Sequence, residues 1–264
     1  EANGKIYTFG GLGGGSVDYW SLDTVEEYDV LNDKWSYGAR MEKPTVFPDS
    51  ITVDDRIYVC GGSSDIYFSQ VFDTMQEYDY INKKWIDKQR MPEARVQHKL
   101  VALNGYIYVI GGKNENGSTN KVLRYDPVND TWTTMKSLFP LPRVNHAVGT
   151  ANGKIYVFGG SSSVYLNTVH EYDPLTDTWT EKNPLPENFV QASSMSLNNK
   201  IYLFLGSKIL EYDPAKDILI EIQKFPFEIY RNKFVFCENK VYSLGGMIGV
   251  GVRYFPLAMD GVYC

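Results

Sequence analysis

A chain of 264 residues is long enough for one large all-β domain or two ordinary ones. Its 43% hydrophobic and 14% aromatic content, with 20 Tyr and 23 Gly, suits many short strands joined by tight turns. The formal net charge of −6 speaks against nucleic acid or an acidic membrane surface as main partner, and no apolar run approaches the roughly 18 to 20 residues of a membrane span.

The first element is the run Ile6-Tyr7-Thr8-Phe9 closed by Gly10-Gly11, and its pattern, apolar-Tyr-apolar-apolar-Gly-Gly, returns along the chain. Copies end at Gly11, Gly62, Gly112, Gly160, Gly206 (a worn IYLFLG) and Gly246, separated by 51, 50, 48, 46 and 40 residues. That spacing lies near the roughly 50-residue period of one class of repeat. A Tyr-Asp pair and then a Trp follow each of the first four copies: Tyr28 to Trp35, Tyr78 to Trp85, Tyr125 to Trp132 and Tyr172 to Trp179, seven residues apart each time. In the fifth repeat Tyr212 stands, but Leu219 replaces the Trp. In the sixth, Tyr254 is followed by Phe255, and Gly261 occupies the Trp position.

Between Tyr and Trp the sequence is turn chemistry, as in Asp126-Pro127-Val128-Asn129-Asp130, so Tyr and Trp belong to adjacent antiparallel strands. Ahead of the glycine pair lies an alternating strand such as Lys99-Leu100-Val101-Ala102-Leu103, joined through Asn104-Gly105, a strong hairpin signal. Each repeat therefore predicts a four-stranded meander whose Tyr, Trp and β-branched residues must be buried against neighbouring repeats.

The glycine pair, the Tyr and the Trp at this period resemble the Kelch motif, over essentially the whole chain. The resemblance implies an all-β, six-bladed Kelch-type β-propeller with four-stranded antiparallel blades, one of them incomplete, in a single domain over 1–264. Its repeat units are 1–48, 49–96, 97–143, 144–189, 190–230 and 231–264. Lys5-Ile6-Tyr7 is the second strand of a blade, so the first blade lacks its innermost strand. The layout is similar to the propellers of BTB-BACK-Kelch substrate receptors, which implies that part of Leu257 to Cys264 closes the first blade. A truncated chain is the alternative, and a leader or domain upstream of Glu1 is left open.

In such a meander the loops between strands two and three, and the linkers between blades, emerge on one end. There the sequence places Tyr19 and Trp20, then Ile66, Tyr67 and Phe68, and Tyr165. Large aromatics on loop tips are either recognition anchors or fold back on their own blades. The linkers contribute Arg40, Arg90, Arg95, Arg143 and Arg231, with Gln97, Asn145, Gln191 and Tyr230, a set that suits carboxylates or polar peptide groups unless the arginines are consumed in ion pairs with Glu42, Glu93, Glu187 or Glu228.

The expected function is thus a protein-interaction module binding a partner protein or peptide at this end, as a scaffold or as the substrate-recognition part of a ubiquitin ligase adaptor, with no catalytic residues, metal or cofactor. The three histidines, His98, His146 and His170, have no metal-ligand spacing, and Gly13-Gly14-Gly15 lacks the strand-to-helix context of a phosphate loop. The alternative is a bacterial or secreted propeller that binds or isomerises a small glycan, for which Glu93 and Arg143 are the pair to consider. Cys60, Cys237 and Cys264 suggest free thiols in a reducing compartment, hence a cytoplasmic protein, whereas a signal peptide before Glu1 would make it secreted and give meaning to the acceptor motifs at Asn116 and Asn129.

Overall fold

The computed structural model describes residues 1–14, 19–238, 240–247 and 256–257, leaving aside the side chains of 225–232, 245–247 and 256–257. Among the described residues every regular element is a strand. The chain divides into two compact units, Glu1–Val144 and Asn145–Cys264.

The first unit holds three antiparallel sheets of three or four strands and two two-stranded hairpins, Leu12–Gly14 with Tyr19–Ser21 and Lys113–Asn114 with Gly117–Ser118. The first is three-stranded (Lys5–Phe9, Val25–Asp29, Lys34–Tyr37). The second (Asp49–Val53, Arg56–Cys60, Met75–Asp79, Lys84–Asp87) and third (Lys99–Leu103, Tyr106–Ile110, Val122–Asp126, Thr131–Thr134) are four-stranded meanders in chain order. The second unit holds a fourth sheet of the same kind (Ala147–Ala151, Lys154–Phe158, Val169–Asp173, Thr178–Lys182) and a five-stranded fifth (Ser193–Leu197, Lys200–Asp213, Ile218–Cys237, Lys240–Met247, Pro256–Leu257).

Five sheets of blade size, not the expected six, are thus seen among the described residues. In the fifth repeat Leu205 replaces the first glycine, which in four others breaks the strand at a φ of 56 to 61°. The chain runs on instead as the 14-residue strand Lys200–Asp213. The next strand, Ile218–Cys237, is 20 residues long and pairs first with Lys200–Asp213 and then with Lys240–Met247, so the sixth repeat extends the fifth sheet. Leu257, expected in a strand closing the first sheet, pairs with Val241. Residues 258–264 of that expected strand, with Gly261, Cys264 and the aromatic pair Tyr254-Phe255, lie outside the described residues.

Local chemistry sets the two turn types. In the hairpins joining the first two strands, consecutive residues are left-handed: Asp54 and Asp55, Asn104 and Gly105, Asn152 and Gly153, Asn198 and Asn199. In the Tyr-to-Trp turns an aspartate carboxylate caps the backbone, as where Asp126 Oδ1 accepts from the N–H of Val128 at 2.9 Å and Asn129 at 3.2 Å. The tyrosine hydroxyl then donates to the aspartate at the far end of the turn: Tyr28 to Asp33, Tyr125 to Asp130, Tyr172 to Asp177 and Tyr212 to Asp217, at 2.6 to 2.7 Å. In the second sheet Lys83 takes that place. There the Tyr78 hydroxyl accepts from Ala39 N–H at 3.2 Å and donates to the buried Glu27 at 3.4 Å, while the Lys83 ammonium lies 3.3 Å from Glu27.

The core lies between successive sheets. In the first unit Tyr7, Val25, Ile57, Val59 and Tyr78 form one cluster, and Tyr58, Cys60, Leu100, Ile107, Val109 and Tyr125 another. In the second unit Tyr156, Phe158, Phe189, Leu203, Leu210 and Tyr212 do the same. Each buried ring contributes on the order of 1.5 to 3 kcal/mol. Two of the tryptophans reach back to the preceding repeat: Trp85 Nε1 donates to Ala39 O at 3.0 Å and Trp132 Nε1 to Gln89 O at 2.7 Å.

The glycine pair ties loop, linker and strand together. Gly61, at φ 61°, has Arg95 O only 2.4 Å from where a Cβ would stand, and Gly62 N–H donates to that same carbonyl at 2.9 Å. Gly105, at φ 78°, has nothing within 4 Å of its Cβ position. Gly105→Ala should therefore lose only the left-handed penalty, about 1 kcal/mol, whereas Gly61→Ala should lose on the order of 3 kcal/mol or more. Urea unfolding of the two variants beside the parent measures both.

Candidate functional site

At the glycine end of each repeat two segments meet: the loop after the pair and the linker into the next repeat. In the first unit the loop is also clasped by reciprocal backbone bonds to the linker that enters its own repeat. Val46 and Ser63 exchange N–H···O contacts at 2.8 and 2.9 Å, and Val96 and Lys113 do so at 2.9 Å. The residue after each linker valine is left-handed: Phe47 (φ 53°), Gln97 (57°), Asn145 (57°) and Gln191 (58°). Phe47 is the bulky one, and a bulky residue in this region is strained by on the order of 1 to 3 kcal/mol.

The loop after Gly62 is built around Asp65. Its carboxylate accepts from the N–H of Tyr67 at 2.9 Å and of Ser69 at 3.1 Å, and from the Ser64 hydroxyl at 3.1 Å. These bonds, those from Ser69 foremost, hold the carboxyl below the ordinary aspartate range. The Ser63 hydroxyl donates to Asp65 O at 2.6 Å. So braced, the loop presents Tyr67 at 83% exposure and places Phe68, itself left-handed at φ 62°, beside Phe47 with ring centroids 6.0 Å apart. The Lys113 ammonium lies 3.8 Å from the Phe68 ring centroid.

The loop of the first repeat is a short hairpin, Leu12–Gly14 with Tyr19–Ser21, that leaves Tyr19 and Trp20 more than half exposed. Its Ser21 hydroxyl donates to Ser64 O, fastening the hairpin to the second repeat's loop. In the second unit Tyr165 is exposed on the loop between Ser161 and Asn167, next to the equally exposed Val164. The expected tip aromatics Tyr19, Trp20, Tyr67 and Tyr165 are therefore solvent-facing, and Phe68 is half-buried.

The arginines are a correction. Arg95 and Arg143 were expected to face a ligand and are instead fully buried. Arg95 Nη1 donates to Gly111 O at 3.0 Å and Lys121 O at 2.8 Å, with Nη2 on Glu93. Arg143 stacks 4.4 Å over the Phe139 ring, and burial pushes its pKa down to about 10. Both close backbone carbonyls or cover rings that the linker would otherwise leave bare. Arg40 and Arg90 are exposed but ion-paired, with Asp23 at 2.5 Å and Asp73 at 2.7 Å. Glu93, considered with Arg143 for sugar chemistry, pairs with Arg95 and Lys121. The side chains of Tyr230 and Arg231 lie outside the described residues. His98, His146 and His170 are buried, and among the described residues no group of three or more His, Cys, Asp or Glu is arranged to hold a metal.

Sequence reasoning missed Phe47 and Lys113. Both were legible as exceptions within the repeat: Phe47 stands where later repeats carry Gln97, Asn145 and Gln191, and Lys113 where Ser63 and Ser161 stand.

A family model described as the KLHDC2/KLHL20/DRC7 Kelch-repeats domain matches residues 50–206, and one described as the Kelch motif matches residues 2–42. No curated protein matches the chain.

Glu93 supplies a pH test of the linker. Burial alone would raise its pKa, but the Lys121 ammonium at 3.0 Å and the Arg95 guanidinium outweigh that and hold it below its ordinary 4.5. A folded-state value below the unfolded one means stability that is complete above the unfolded pKa and lost as pH falls through the folded one. Glu93→Gln should be less stable than the parent at neutral pH, with the difference shrinking below about pH 4.5. Urea midpoints across that range measure it, and a pH-independent difference would exclude the ion pair as its cause.

Proposed function

The chain belongs to the Kelch-repeat β-propeller family, and from that premise we propose that it is a protein-interaction module whose partner, a protein or peptide, engages the loops after the glycine pairs and the adjoining linkers. The reading takes the six repeat units as one propeller domain working as a scaffold or as the substrate-recognition part of a ubiquitin ligase adaptor. The observation that carries the binding site is the braced loop at Asp65, which holds Tyr67 at 83% exposure with most of its ordering already done in the free protein. A large aromatic held in water by a rigid loop gains the most from being covered, because little conformational freedom remains to be lost on binding. Tyr19 and Trp20, on a hairpin fastened to the same loop, extend the surface.

The remaining chemistry of this end favours recognition over catalysis. Among the described residues its arginines Arg40, Arg90, Arg95 and Arg143 are spent on backbone carbonyls, rings and acidic side chains, and Glu93 is spent on Arg95 and Lys121.

Replacing Tyr67 by Ala, alone and with Trp20→Ala, should leave the thermal unfolding midpoint near that of the parent, since exposed side chains change stability by only about 0.5 kcal/mol. Captured partners should weaken by about 2 kcal/mol per anchor, roughly thirtyfold. Affinity capture from lysate with parent and variants side by side tests this, and equal recovery of the same proteins by both would exclude these loops as the binding surface.

A further inference from the structure

The loops of the first unit also specify what chemistry a partner should bring, an inference that rests on the binding role just proposed. Three features from three successive segments converge at Phe68: Phe47 from the linker into the second repeat, Phe68 from that repeat's loop, and Lys113 from the third repeat. Both phenylalanines are held at positive φ, where a bulky side chain is disfavoured. The fold reads Gln or Asn in the equivalent linker slot three times, so nothing about forming the linker demands an aromatic at Phe47. A strained aromatic pair is retained where it contributes something other than folding.

The charge at the site is equally specific. Arg40, Arg90 and Lys121 each hold a carboxylate. Lys113 makes no ion pair among the described residues, and its ammonium rests on the Phe68 ring with its backbone pinned to Val96. The nearest carboxylate in the loop, Asp65, is occupied by backbone and hydroxyl donors. A positioned cation and an apolar pair complement an acidic group and an apolar side chain.

We propose that the Phe47, Phe68 and Lys113 cluster binds a linear peptide segment in which an acidic residue lies next to a large apolar one, the carboxylate pairing with Lys113 and the apolar side chain covering the two phenylalanines.

The probe is a phage-displayed library of random heptapeptides selected on the whole chain, followed by fluorescence polarisation of a labelled selected peptide and its acid-to-amide counterpart. Enriched sequences should place Asp or Glu within two positions of an aromatic or large aliphatic residue. Lys113→Gln should weaken the acidic peptide by about fivefold to tenfold and leave the amide counterpart unchanged. Phe47→Gln, which installs the side chain already used in the next linker, should leave the thermal midpoint at or above the parent's and weaken both peptides about tenfold. Enriched peptides without acidic preference, or an equal effect of Lys113→Gln on both peptides, would overturn the cluster's chemistry while a loss on Tyr67→Ala upheld binding at these loops. Failure to enrich any peptide, or binding indifferent to Tyr67→Ala as well, would overturn both readings.

Discussion

The bond from the second glycine of each of the first four pairs to a linker carbonyl is the constraint from which the rest of the glycine end follows. Gly11 donates to Thr45 O, Gly62 to Arg95 O and Gly112 to Arg143 O at 2.9 Å in the first unit, and Gly160 donates to Phe189 O at 2.6 Å in the second. The contact is possible only because the first glycine turns the chain at positive φ and carries no Cβ, which at Gly10, Gly61 and Gly159 would stand 2.2 to 2.4 Å from that carbonyl. In the first unit the valine after the pinned residue then pairs with the residue after the next repeat's glycines, Val46 with Ser63 and Val96 with Lys113, so each of these linkers is held by two repeats. Where Leu205 replaces the first glycine, strand continues through the position and no separate loop forms.

Burial explains the altered meaning of the arginines. A linker passing beneath a loop leaves carbonyls such as Gly111 O and Lys121 O without strand partners, and an unsatisfied buried acceptor is destabilising by about 1 to 3 kcal/mol. A guanidinium supplies several donors in one plane and can close two such carbonyls and a carboxylate together, as Arg95 does. Its charge is then spent inside the linker. In the proposed role, recognition falls to side chains that have no such work, which in the first unit are Tyr19, Trp20, Tyr67 and the cluster of Phe47, Phe68 and Lys113.

Rigid loops and exposed rings make a coherent pair. Asp65 takes three donors that would otherwise seek water, so the loop holds its shape without a partner, and Ser21 ties the neighbouring hairpin to it. Binding to such a surface loses little ordering entropy, so each covered ring contributes more of its buried area to affinity.

The repeat, its period, its antiparallel meanders and both turn types were written in the chain, because they depend on residues within a few positions of one another: Asn104 with Gly105, Asp126 with Asn129, Tyr125 with Asp130. The place of the tip aromatics on loops after the glycine pairs was equally legible, whereas their exposure, as against folding back on their own blades, was not. What tertiary structure decided was the fate of side chains whose partners lie far along the chain. Arg95 could be read as ligand-facing until Gly111 O and Lys121 O appeared beside it, and Lys113 could be read as an ordinary surface lysine until the Phe68 ring appeared beneath it. The count of sheets was in part a tertiary matter: the missing glycine at Leu205 could be read in the chain, but the pairing of Ile218–Cys237 with both Lys200–Asp213 and Lys240–Met247 could not. Local hydrogen bonds and backbone sterics act over a turn and so can be read from sequence, whereas burial and charge pairing act between segments that only folding brings together.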